Sequence, residues 1–272
     1  MTQWLRFGKT IKGAVILAAL FTFGWVAQAQ DSLVSADVIF IGEQHDNSHH
    51  HAVQANYVRS IAPKVLVFEM LTPEQAKNAT PEVRNSLSDL EAALEWEASG
   101  WPDFSMYYPI FSAAPDALIV GAGVPRSVLR AIVTENLARA ADQELVSRFK
   151  LDESLPNDQQ AAREALQRES HCNALPEEML PGMVNVQRLR DAMLAEAALS
   201  GLEQVGGPVV VITGNGHART DWGAPFLLQT VAPDVSVHSI GQGEDGTTPL
   251  GIFSIVEHAP GVDRGDPCDA FR

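Results

Sequence analysis

Five short apolar runs divide the chain: residues 37–42 (DVIFIG), 64–70 (KVLVFEM), 116–123 (DALIVGAG), 207–218 (GPVVVITGNGHA) and 234–241 (DVSVHSIG). They are rich in β-branched residues and bounded by Gly, Pro or charged positions, which predicts buried strands. Between them the period changes. After the first run, Val53, Tyr57 and Ile61 recur at helical spacing, with Ser48 placed to cap and Pro63 to stop the helix. Helical periodicity returns at 88–101, 125–149, 157–170 and 175–202. Near-continuous apolar strands alternating with helices predict an α/β fold, a mainly parallel sheet flanked by helices on both faces. The helices between the third and fourth runs exceed what a crossover needs. They predict a helical subdomain inserted over about residues 126–204, inside one domain of residues 30–258, with a C-terminal tail over 259–272.

The N-terminus follows a different pattern. Arg6, Lys9 and Lys12 precede the apolar run GAVILAALFTFGWVA, which ends in small residues at Ala27 and Ala29. This is the plan of a secretory signal peptide cut after Ala29, and it predicts a periplasmic or otherwise exported protein. The run is short for a spanning helix, and no cysteine stands at the cut to carry a lipid. Loss of residues 1–29 removes three basic and no acidic residues, moving the formal net charge from −15 to −18. Such a surface disfavours nucleic acid and anionic membranes as partners. Cys172 and Cys268 are the only two cysteines. An oxidising compartment would let them pair, but spacing does not decide whether they meet.

The chemistry-bearing residues gather at one place in this scheme. GEQHD follows the first strand, Glu69 closes the second, GAGVPR follows the third and GNGHAR the fourth. In an open parallel sheet, ligands bind outside the carboxyl ends of the strands. Four strands therefore deliver Glu43, His45, Asp46, Glu69, Arg126, Asn215, His217 and Arg219 to one edge. Glu69 ends an apolar strand, where an unpaired carboxylate would be costly. Glu43 and His45, two apart on an extended segment, point to one side. With Glu69 and His217 they would make a site for a divalent transition metal such as zinc, manganese or iron. The same set suits acid–base work, with Glu43, His45 and His217 as the catalytic groups. GNGH lacks the third glycine of a dinucleotide fingerprint, which argues against nucleotide binding.

Four of the eight histidines fall within residues 45–51. His49, His50 and His51 occupy successive positions of a first helical turn, each about 100° from the last. One or two of them can face the strand ends, and the others are expected in solvent. His171 and His238 carry no metal signature.

Six ordered segments, IGEQHDNSHHHAVQ, VLVFEML, ALEWEASGWPDFSMYYPIF, GAGVPR, HCNALPEEMLPGMVNVQRLRDAML and GNGHART, resemble the ChaN-like haem-binding uptake proteins of the Tiki/erythromycin-esterase-like superfamily. The likeness runs from about residue 34 to 257. It implies a cell-envelope protein that binds haem for iron uptake, as a homodimer and with envelope uptake partners. It also implies a tyrosine on the iron and a histidine contacting haem from the partner subunit. Only Tyr57, Tyr107 and Tyr108 are present. Tyr108 lies in YYPIF, the segment that resembles the family's Y-x-P-x-F element, and Tyr108, His49 and Arg126 are the haem contacts to expect. Tyrosinate is an established haem ligand class. The alternative is a metal-dependent or acid–base hydrolase, since the superfamily contains hydrolases built on the same two loops.

Overall fold

A computed structural model of the chain describes residues 36–134, 137–266 and 268–269. The expected leader and its cleavage site lie outside the described residues. The first half runs β1 (Val38–Ile41), α1 (Ser48–Ile61), β2 (Val65–Phe68), α2 (Pro73–Lys77), α3 (Leu87–Ala93), α4 (Phe104–Ala113) and β3 (Leu118–Gly121). Five helices follow: α5 (Arg126–Thr134), α6 (Leu137–Ala140), α7 (Gln143–Arg148), α8 (Asn157–Ser170) and α9 (Leu180–Val205). The chain ends with β4 (Val209–Ile212), α10 (Asn215–Ala218), α11 (Ala224–Val231), β5 (Val237–Glu244) and β6 (Ile255–Ala259).

The sheet has six parallel strands in the order β3-β2-β4-β1-β5-β6. All four residues of β1, β2 and β4 are buried, which is why these segments read as unbroken apolar runs. The sixth strand was not among the five expected. It is an edge strand, mostly half-buried, with Glu257 and His258 inside it, so its composition does not stand out.

Period-2 alternation sends the strand side chains to two layers. Val38, Phe40, Val65, Val67, Val209 and Val211 join a core with Leu189, Ala192, Ala195 and Leu199 of α9. On the other face Phe68 stacks on Phe111 of α4 at 4.3 Å. The 26-residue α9 can lie close to the sheet because small residues face it: a Cβ on Gly201 would stand 2.8 Å from Val65 Cγ1. Ile132, Leu137, Leu145 and Phe149, from α5 to the residue after α7, belong to that same core. The helices between β3 and β4 therefore share their hydrophobic interior with the sheet.

β1 and β4 are neighbours, and β2 lies on the far side of β4. The loops leaving their carboxyl ends carry Glu43 and His45, Gly214 and His217, and Glu69. Strand order thus places the three loops side by side. After β6 the chain returns across this end: Arg264 pairs with Asp46 and Glu244, and Cys268 forms a disulfide with Cys172.

Candidate functional site

Glu43 is 1% exposed and is surrounded by donors. Its Oε1 accepts from the Tyr107 hydroxyl at 2.8 Å and lies 2.6 Å from His45 Nδ1. Its Oε2 accepts from Gln54 at 2.8 Å and lies 3.3 Å from His51 Nδ1. Burial works against the charge of this carboxyl. The bonds from His45 and His51 outweigh it and hold the group at about 2. A carboxylate only accepts, so Nδ1 of His45 carries the proton it donates. Burial alone would lower the His45 pKa, but the bond to Glu43 and the charges of Glu69 and Glu43 raise it to about 9.

With Nδ1 fixed, Nε2 of His45 is turned towards β4. A Cβ on Gly214 would come within 2.9 Å of it, so this close approach requires glycine there. The other side of the imidazole rests on Trp101, with ring centroids 4.8 Å apart.

Glu69 faces this imidazole from β2. Its Oε2 accepts from Thr213 Oγ1 at 2.6 Å and from the Gly214 amide at 2.8 Å. Its Oε1 lies 3.6 Å from His217 Nε2 and 3.9 Å from Arg190 Nη1. Burial opposes ionisation here too, yet the charges of His217, His45 and Arg190 bring the group down to about 2. His217 Nδ1 is 2.7 Å from Asp191 Oδ1. Burial tends to neutralise His217, but Glu69 and Asp191 push its pKa up. Burial also pushes Asp191 up, so this pair holds its proton less one-sidedly than Glu43 and His45.

The result is two imidazole–carboxylate pairs, Glu43–His45 and Asp191–His217, on either side of Glu69. A cavity of about 360 Å³ opens between Glu69, Trp101, Arg126 and Arg190. A second, of about 490 Å³, opens beyond Asp191 and His217 and is lined by Arg163, His171, Arg219 and Trp222, with Leu166, Val184 and Leu250 among its apolar residues. Among the described residues no three His, Cys, Asp or Glu side chains are grouped to hold a metal ion. The carboxylates are instead occupied by imidazole, hydroxyl and amide donors.

The sequence model of the family described as haem-binding uptake, Tiki superfamily, ChaN, matches residues 29–228. The chain belongs to this ChaN family. Among solved structures it is similar to ChaN of Campylobacter jejuni, a structure described as showing cofacial haem binding. That match has a TM-score of 0.62 at 18% identity and covers 84% of this chain and 90% of the other. It is also similar to the type III effector HopBA1, with a TM-score of 0.47 at 13% identity, covering 85% and 93%. No curated protein matches.

Glu43, His45, Glu69 and His217, expected at the strand ends of this ChaN-family fold, do come together. Other expected residues stand elsewhere. Tyr108 is turned away and donates to the Arg84 carbonyl at 3.2 Å. His49 is solvent-exposed at the start of α1. Arg126 borders the first cavity, where its Nη2 donates to the Ser99 carbonyl at 3.0 Å. Asp46 pairs with Arg264, and Asn215 exchanges two 2.9 Å hydrogen bonds with the backbone of Gln242. His50 and His51 are buried. His50 Nδ1 accepts from the Gln44 amide at 2.9 Å, and His51 Nε2 lies 2.9 Å from the His45 carbonyl. The crowded histidines thus immobilise the loop that presents His45. Asp191, Arg190, Tyr107 and Trp101 were not among the expected site residues. Each sits on a helix or loop whose docking against the strand ends no local pattern announces.

Proposed function

We propose that this protein is an exported haem-binding protein that takes part in haem or iron uptake in the cell envelope. Family membership over residues 29–228 supports the ligand class, and the basic, apolar and small-residue leader supports export. The structural observation that carries the reading is the second cavity. Its volume falls in the range of roughly 300–1,000 Å³ typical of organic-ligand sites. Leu166, Val184, Trp222, Pro249 and Leu250 would pack a porphyrin face, and His171 and His217 bring imidazoles to the wall. Both rings have Nδ1 engaged, at 2.8 Å from the Gln167 carbonyl and 2.7 Å from Asp191. Such a partner fixes the tautomer of a ligating histidine. Haem, when bound, supplies redox-active iron and a flat apolar surface; the chain supplies the pocket and imidazole.

Tyrosinate ligation fits this arrangement less well. Neither cavity is lined by a tyrosine. Tyr107 donates to Glu43 and Tyr57 to Glu257, and burial pushes both phenols away from ionisation. Titration of the purified protein with haemin should give a saturable Soret band at one haem per chain, altered by His217→Ala and unchanged by Tyr108→Phe. Absence of saturable binding would reject the reading. Light scattering of the same samples tests the homodimer that belongs with this reading; the envelope partners would act on the loaded form.

The two imidazole–carboxylate pairs favour a second reading, acid–base hydrolysis at the strand ends around Glu69, which lies between the pairs and borders the first cavity. His45 would move protons at Nε2 while Glu43 holds its tautomer, and Glu69 and His217 would face it. Turnover of chromogenic esters or amides, lost in His45→Gln with the fold intact, is the expected result. A panel of such substrates left untouched by wild type would dismiss it.

A further inference from the structure

The buried arginines differ in what they are given to bind. Arg219 is locked to Asp221 and lies 3.7 Å over the Trp222 ring. Arg163, on α8, is also only 9% exposed and lies 5.0 Å over the same ring. Among the described residues Arg163 makes no ion pair within 4.0 Å, and Asp191 and Asp221 act on it only from further away. Its Nη2 donates to the Trp222 carbonyl at 3.2 Å and more weakly to Gln159 at 3.5 Å, while Nε has no partner. Arg84 lacks a carboxylate too, but it donates to the Ala117 carbonyl at 2.8 Å and borders neither cavity. Arg163 lines the second cavity.

A guanidinium taken out of water without a carboxylate bonded to it is costly: burial lowers the pKa of Arg163, and the more distant charges of Asp191 and Asp221 offset this only in part. Such a group on the wall of a ligand-sized cavity matches an anion brought by the ligand. Leu166, Val184, Trp222 and Leu250 face the same space, and Leu250 remains 68% exposed. The matching molecule is flat and apolar, with a carboxylate at its edge. Haem and its iron-free porphyrin have that chemistry, with two propionates on one side of the ring. Local cations are needed for such a ligand, since the chain as a whole carries −15.

We infer that Arg163 is the carboxylate anchor of the porphyrin site in the second cavity. The inference rests on the haem-binding reading and adds the place and the polar contact. Guanidinium suits a carboxylate through parallel, charge-assisted hydrogen bonds.

The test uses protoporphyrin IX and its dimethyl ester, without iron, so that metal ligation does not contribute. Binding is followed by quenching of protein fluorescence in wild type, Arg163→Gln and Arg163→Lys, with circular dichroism as the check on folding. Wild type should bind the free acid at least about ten-fold more tightly than the diester. Arg163→Gln should lose about that factor for the acid and little for the diester, and Arg163→Lys should recover part of it. Equal affinity of wild type for acid and diester would overturn the inference. So would an Arg163→Gln protein that binds the acid like wild type, and either result leaves the haem-binding reading in place. If wild type binds neither porphyrin nor haemin, the haem-binding reading falls and the inference with it.

Discussion

Glu43 and His45 show how a single pair can tie stability to pH. The Glu43 carboxyl is held at about 2 and the His45 imidazole at about 9, against ordinary values near 4.5 and 6.5. A depressed carboxyl adds stability above its unfolded pKa, lost as pH falls through the folded value. A raised imidazole adds stability below its unfolded pKa, lost as pH rises through the folded value. Both contributions are therefore complete between about pH 4.5 and 6.5 and fade on either side. Urea unfolding of wild type and Glu43→Gln across that range should show the largest difference inside this window. A difference that stays constant from strongly acid to alkaline pH would show that the pair does not titrate as described. Adjacent residues can also have opposite roles. Tyr107 is buried and donates to Glu43, while Tyr108, one step of about 100° further round α4, reaches the Arg84 carbonyl. The haem contact expected from the sequence is Tyr108, but the tyrosine of Y-x-P-x-F in YYPIF falls on Tyr107, the inner one of the two.

At the scale of elements, much of the fold was legible because composition and burial agree. The buried runs Val38–Ile41, Val65–Phe68 and Val209–Ile212 could be read as strands without knowing their neighbours. Strand-end residues could then be assigned to one edge, and Glu43, His45, Glu69 and His217 meet there. What the helices contribute was not legible in the same way. Asp191 lies within VNVQRLRDAML on α9, where a charged residue reads as part of a solvated helix face. Only the seating of α9 across β2 and β4 shows that it points at His217. Arg163 lies in NDQQAAREALQRES on α8, a segment so polar that its inward position is set by the contact with Trp222. β6 was missed for the converse reason, since an edge strand need not be apolar. The extent of 126–204 was readable as helical, but its shared core with the sheet depends on tertiary packing.

The whole molecule is tied together at the site end by its C-terminal segment. Arg264 reaches Asp46, next to His45, and Glu244 at the end of β5. Asn47, the cap of α1, donates to the Pro260 carbonyl at 2.9 Å. Cys268 then closes a disulfide to Cys172, just after α8, across 96 residues of sequence. Spacing left that pairing open; the return of the chain across the strand ends brings the two residues together. Joining residues so far apart restricts the unfolded chain, and loss of a bridge of this kind costs about 2–5 kcal/mol. Protein purified without reductant should therefore contain no free thiol, and its mass should rise on reduction by the two hydrogens of an opened disulfide. Denaturant unfolding with and without reductant should differ by about 2–4 kcal/mol, and Cys268→Ser should reproduce the reduced behaviour. Because α8 carries Arg163 and ends one residue before His171, the bridge also fixes the wall of the second cavity. Haemin affinity should consequently fall in Cys268→Ser. Two titratable thiols in protein taken directly from an oxidising compartment would remove the bridge, and its share in holding that wall, from this account.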